Sequence, residues 1–128
     1  MDLAHRIYAD VLVLAPVGRI DYSNAAELER QVTASLESGD GARAGMVFDF
    51  SGVTYTSSVG LRVLLVASKA LRQRNARVAV AALQPLVAEI FAISRFESVV
   101  EIFPTVRDAL RAISPAALSA YDSSGPRL

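Results

Sequence analysis

The chain has no cysteine and no tryptophan, and only one histidine. Without thiols, disulfides and thiolate metal sites are excluded. One imidazole, His5, beside scattered carboxylates does not make a metal centre, so neither a metal nor a cofactor is expected. Aromatic residues are only 7% of the chain and form no stacking platform. Thirteen basic residues balance thirteen acidic ones, with no basic stripe. Nucleic acid and anionic membrane surfaces therefore have nothing to hold. No apolar run approaches the roughly 20 residues of a spanning helix. The N-terminal "MDLAHRIYAD" lacks the cationic patch and apolar stretch of a signal peptide. These absences together lead to the expectation of a cytoplasmic protein without membrane insertion.

What is present is ample apolar material, 52% of 128 residues, enough for the core of one domain. Residues 4–8 are expected to form an edge strand. Residues 11–20, "VLVLAPVGRI", read as a strand with Pro16 and Gly18 near its end. A helix follows, started by Asn24 with Glu27 three residues on, in the manner of a capping box. Leu28, Val32 and Leu36 supply its buried stripe, and Gly39 and Gly41 end it. "GMVFDF" (45–50) is a buried strand, followed by a loop "SGVTYT". From Ser57 or Ser58 a helix runs to about Asn75. Residues 77–83 are a strand, "QPLVAEIFAIS" a helix with Pro85 at a tolerated early position, and 99–103 the last strand. Thr105 caps a final helix with Asp108 in its first turn.

Strands alternating with helices over short connections imply an α/β fold. Its sheet is mixed but mostly parallel, with about five strands and about four helices packed against it. Residues 1–114 are read as one domain. Residues 115–128, "PAALSAYDSSGPRL", are read as a flexible tail.

The stretch that asks for an explanation is "SGVTYTSSVGLRVLL", residues 51–65. Two serines, Ser57 and Ser58, stand where a polar loop becomes an apolar helix. A serine there commonly caps the helix by accepting from a free N–H. A second hydroxyl is more than a cap requires. Gly60 weakens the first turn by about 0.5–1 kcal/mol relative to alanine, and allows a close approach. The first turn is also where a phosphate is best held, by free amides and the helix dipole. Along this helix Leu61, Leu64, Leu65, Ser68 and Leu71 should face the sheet. Val59, Arg62, Val66, Lys69 and Gln73 share another, charged side. Val59 and Val66 then either form a small apolar docking patch or tuck against neighbouring loops.

Residues 49–65, "DFSGVTYTSSVGLRVLL", resemble the signature of the STAS domain, a family that includes the bacterial anti-sigma factor antagonists. "GRIDYSNAAELE" and "LQPLVAEIFAISRFESVVEIFPTVRDAL" support the likeness, which covers about residues 5–113. Antagonists of this kind typically read Asp-Ser-Ser-Gly at the loop–helix junction. The first serine is phosphorylated by a partner anti-sigma factor that is also a serine/threonine kinase. Unphosphorylated antagonist binds that partner, phosphorylated antagonist releases it, and a phosphatase resets the cycle. The resemblance implies that Ser58 is the acceptor, with Ser57 as runner-up. Ser57 stands in the Asp place, Val59 in the second Ser place, and Gly60 matches the glycine. Asp21 matches the family's aspartate after the second strand, near the acceptor. Asp21, Ser57, Ser58, Val59, Gly60, Arg62 and Val66 are then the partner-binding residues.

The leading expectation is a bacterial partner-switching regulator of transcription, a monomer or weak dimer that is a kinase substrate and not an enzyme. The alternative is a STAS module that does not cycle through phosphate, as a scaffold or a transporter-associated subunit. An enzyme is disfavoured because Asp21 and Asp49 have no partnered His or Lys, and no Gly-x-Ser-x-Gly occurs. Asp49 is expected to hydrogen-bond the loop containing Ser51. The glycines of "SGDGARAG" do not form a dinucleotide fingerprint.

Overall fold

The computed structural model describes residues 3–38 and 42–124. Two extended segments, β1 (Ala4–Tyr8) and β2 (Val11–Ala15), open the chain. They pair antiparallel, with Arg6 opposite Val13 and Tyr8 opposite Val11. The chain then turns out of the sheet. Pro16 has no N–H to donate, and Gly18 adopts φ +89°, which costs a glycine little. The expected strand 11–20 is therefore two strands, because the second piece, β3 (Gly18–Ile20), leaves β2.

After β3 come α1 (Ala25–Glu37), β4 (Gly45–Asp49), β5 (Val53–Thr56) and α2 (Ser58–Arg72). Then follow β6 (Arg77–Ala81), α3 (Pro85–Ile93), β7 (Glu101–Phe103), α4 (Val106–Ile113) and α5 (Pro115–Ser123). The main sheet has the order β1-β2-β4-β6-β7. Every pair after β1–β2 is parallel, as the alternation of strands and helices implied. β3 and β5 form a separate parallel ribbon.

The central strands read as unbroken apolar runs because both of their faces are buried. Leu12, Leu14, Met46, Phe48 and Val80 face a core shared with α1, α2 and α3. Val11, Val13, Val47, Ala79 and Ala81 face a second, smaller core under α4 and α5. Edge-to-face rings run through the larger core from Phe48 to Phe50, Phe91 and Phe96. Leu28, Val32 and Leu36 of α1 are buried in it, as their spacing required.

Several local expectations change. The Asn24–Glu27 capping box does not form. Asn24 instead braces the preceding turn: its Oδ1 accepts from the Asp21 amide (3.0 Å) and its Nδ2 donates to the Arg19 carbonyl (2.7 Å). Glu27 pairs with Arg30. Gly39 and Gly41 lie outside the described residues. Four of the six residues of the expected loop "SGVTYT" are the strand β5, whose Val53 and Thr56 point inward while Thr54 is exposed. α2 stops at Arg72, and Asn75 takes a positive φ of 59°. The Thr105 cap does form, accepting from the Asp108 amide at 3.0 Å. Residues 115–123 of the stretch read as a tail form the helix α5, capped by Ser114 and laid against β1 and α4, and residues 125–128 lie outside the described residues. Among the described residues the α-helices number five, where about four were expected.

Candidate functional site

The β3–β5 ribbon positions the start of α2. Ile20 lies opposite Thr56, and the Ser57 amide donates to the Ile20 carbonyl at 2.9 Å. At Ser57 the backbone is still extended (φ −89°, ψ 177°), and its carbonyl accepts from the Gly60 and Leu61 amides at 3.0 and 3.3 Å. Ser57 is thus the N-cap and Ser58 the first helical residue. The amides of Ser58 and Val59 precede the first helical hydrogen bond, so they face the positive end of the α2 dipole.

The two serines differ in exposure. Ser58 is exposed. The Ser57 hydroxyl oxygen is shut off from solvent and has no hydrogen-bond partner among the described residues. It makes no capping bond to the helix. The simple capping account of this pair is therefore absent from the geometry.

Gly60 is buried, and was expected among the partner-facing residues. A Cβ there would lie 2.1 Å from Thr56 Oγ1 and 2.8 Å from Ile20 Cγ2. The glycine lets the first turn of α2 rest on the ribbon, and so it orients Ser58 from beneath. Its surroundings are occupied by this chain, not open to another one.

Asp21 follows β3 directly, beside the strand end that leads into Ser57. Its Oδ1 accepts from Ser23 Oγ (2.6 Å) and from the Ser23 amide (3.0 Å). Arg19 Nε lies 3.7 Å from Oδ2, and the Arg19 guanidinium sits 4.3 Å above the Tyr55 ring centre. The two Ser23 hydrogen bonds, with a smaller contribution from the Arg19 charge, hold this carboxyl below its ordinary range. It is a negative charge one residue beyond the Ile20 carbonyl that accepts from the Ser57 amide.

Val59 and Arg62 line a shallow groove of about 250 Å³ between the start of α1 and α2. Tyr22, Ala25, Ala26 and Glu29 form its other wall. Val66 is half-buried, lies further along α2 and does not line this groove. Val59 is also half-buried and packs against the larger core, so neither valine is the fully exposed residue that the helix pattern suggested. On the opposite side of α2, Leu61, Leu64, Ser68 and Leu71 are buried as expected, joined by Val63 and Ala67. Leu65 is only half-buried.

Tyr22 and Glu29 were missed from the sequence. Tyr22 is 85% exposed. Its signal was an aromatic ring set in a polar turn, "DYSN", with no apolar neighbour to bury it. Asp49 does hydrogen-bond its loop, accepting from the Ser51 amide at 3.0 Å. His5 is exposed on β1. Among the described residues no group of three His, Cys, Asp or Glu could hold a metal ion, and no helix is long and apolar enough to cross a membrane.

The profile of the STAS domain family matches residues 3–109. The chain belongs to the STAS domain family. Within that family it groups with anti-sigma factor antagonists. BtrV of Bordetella bronchiseptica, named as one, is 33% identical over 117 residues, covering 91% of each chain. The crystal structure of an anti-sigma factor antagonist from Mycobacterium paratuberculosis superposes with a TM-score of 0.78 at 25% identity. That match covers 88% of this chain and 92% of the other. The Bacillus cell fate determinant SpoIIAA in its phosphorylated form shares the STAS fold (TM-score 0.66, 13% identity, 88% of this chain and 100% of that one). α5 lies beyond residues 3–109, the span of the family profile.

Proposed function

We propose that this STAS domain is an anti-sigma factor antagonist. It binds an anti-sigma factor that is also a serine/threonine kinase, and phosphate on Ser58 ends the complex. The observation that carries this reading is the contrast at the start of α2. Ser58 is exposed at the first helical position, whereas the neighbouring Ser57 oxygen is enclosed. A kinase can reach the one and not the other. A phosphate on Ser58 brings about −1.5 to −2 charges. It would stand against the free amides of the first turn, with Arg62 one helical turn further on the same side.

The same charge is unwelcome to a docked partner. Tyr22, Val59 and Arg62 have the composition of an interface centre, where a few residues carry most of the affinity. A dianion at its rim disrupts such a contact by repulsion and desolvation, without a large movement of the fold. Asp21 already sets one negative charge there. The relatives named as anti-sigma factor antagonists, and SpoIIAA with its phosphorylated form, support this reading. In it the chain is a binding partner and kinase substrate, not a catalyst. It works in the cytoplasm, and a phosphatase restores the binding form.

The test is incubation with ATP and the anti-sigma factor kinases encoded beside the gene, read by intact mass and fragmentation. The expected result is a single phosphate on Ser58, absent in Ser58→Ala and retained in Ser57→Ala. The phosphorylated chain, and Ser58→Asp, should then lose affinity for the kinase. Phosphate on Ser57, or unchanged affinity after phosphorylation, would contradict the proposal. Tight binding to a partner without any phosphate transfer would favour the non-cycling scaffold or transporter-associated reading.

A further inference from the structure

The sheet face beneath α4 and α5 is apolar along its middle and charged at one end. Tyr8 of β1 is buried on this face, its ring meeting Tyr121 of α5 edge-on with centres 5.2 Å apart. Nearer the start of β1, and at the carboxyl end of β4, the helical cover runs out. There Arg6 and Asp49 line an open cavity of about 230 Å³. Val13 lies on its sheet side, Val106 and Tyr121 come from α4 and α5, and His5 stands at its edge.

The register keeps the two charges apart. Arg6 is opposite Val13, Val13 is opposite Val47, and Asp49 lies two residues beyond Val47 on the same face. The two therefore approach the cavity from different strands, with β2 between them. Among the described residues neither takes part in an ion pair. Asp49 uses Oδ1 to accept from the Ser51 amide, which leaves Oδ2 for another donor. An apolar concavity with one cation and one anion that do not neutralise each other is complementary to a molecule carrying both charges.

We propose that this cavity binds a small zwitterion of the apolar α-amino acid class. Its carboxylate pairs with the Arg6 guanidinium and its ammonium with the Asp49 carboxylate. Its side chain lies against Val13, Val106 and the Tyr8–Tyr121 pair. The cavity is below the roughly 300–1,000 Å³ of sites for drug-sized ligands, which suits a molecule of this size. It lies beyond the carboxyl ends of β2 and β4, where open parallel sheets place their ligands. Tyr121 belongs to α5, beyond residues 3–109 that the family profile matches, so part of the wall comes from outside that span.

The test titrates the ¹⁵N-labelled full chain with L-phenylalanine and L-leucine, following amide shifts. Saturable shifts are expected at Arg6, Val13, Asp49, Val106 and Tyr121. The Kd should rise at least tenfold, about 1.4 kcal/mol, in both Arg6→Gln and Asp49→Asn. Asp49→Asn keeps the acceptor for Ser51, and Arg6 is exposed, so both variants should leave the rest of the spectrum unchanged. Phenylpropanoate and phenethylamine, each with one of the two charges, should bind at least tenfold more weakly than L-phenylalanine. No saturable shifts with either amino acid, shifts centred elsewhere, or equal binding of a single-charge analogue would overturn the proposal.

Discussion

An alanine at position 60 would carry its Cβ to 2.1 Å from Thr56 Oγ1 and 2.8 Å from Ile20 Cγ2. In an exposed helix the same change stabilises by about 1 kcal/mol, because glycine is a poor helix former. Here Ile20 and Thr56 are both buried, at 1% and 2% exposure, so neither can move aside freely. Gly60→Ala should therefore destabilise, by about 1–3 kcal/mol, as overpacking of a dense core does. Urea unfolding of the two proteins decides it, and the sign is the informative part. A more stable variant would mean that the glycine serves something other than the seating of α2 on the ribbon. The sequence showed that a glycine in this first turn needed a reason. It did not show that the reason was contact from below, because Ile20 is forty positions away and only the β3–β5 pairing brings it close.

α5 shows which elements could be read from the sequence and which could not. β1, β2, β4, β6 and the helices α1 to α4 were legible because their apolar residues recur at clear periods or in short buried runs. "PAALSAYDSS" has no strong apolar stripe, and its small residues suggested a tail. Yet Ser114-Pro115 is a cap followed by a proline at the first helical position, and alanine is the best helix former. β5 was hidden in the same way. Four residues of alternating pattern inside a polar segment were read as loop, and their partner β3 was absorbed into a longer strand. The site was legible at the level of motif, Ser57 to Gly60, but Tyr22 and Glu29 join it only through the packing of α1 on α2. The α5 reading can be checked at its cap. Ser114 is 4% exposed; its hydroxyl donates to Asp10 Oδ1 (2.6 Å) and accepts from the Ala117 amide (3.1 Å). Ser114→Ala removes both bonds and should cost about 1–2 kcal/mol. Amide exchange should quicken from Ala117 to Tyr121. Undiminished protection there would show that α5 is held without its cap, by the burial of Ala117, by Tyr121 on Tyr8 and by the Arg107–Asp122 pair among its contacts.

Across the whole molecule the ion pairs lie on the surface and the formal charge is zero at neutral pH, so electrostatics should shape stability chiefly in acid. Asp21, Glu27, Glu101 and Asp122 each have a carboxyl held below its ordinary range by hydrogen bonds, with cationic neighbours adding to them. Glu101 is the most informative, because its partner Arg77 also donates to the Ala112 carbonyl at 2.5 Å and so joins β6, β7 and the end of α4. The Arg77 hydrogen bond lowers the Glu101 carboxyl most, burial opposes it, and the Arg77 charge adds to the lowering. A carboxyl lowered in the folded state stabilises fully above its unfolded value, about 4.5 for a glutamate, and loses that stabilisation as pH falls through the folded value. Both side chains are 43% exposed, so solvent screening keeps the contribution below about 1 kcal/mol. Glu101→Gln should thus be slightly less stable than the parent chain at pH 7, by an amount that added salt reduces. The gap should start to narrow as the pH drops below about 4.5, where the glutamate of the unfolded chain protonates, and close once the pH has fallen through the lowered value of the folded chain. Urea unfolding of both proteins across the acid range measures it. A gap that survived in strong acid would assign the role of Glu101 to packing at the β7 edge, because the charge would then be absent from both chains.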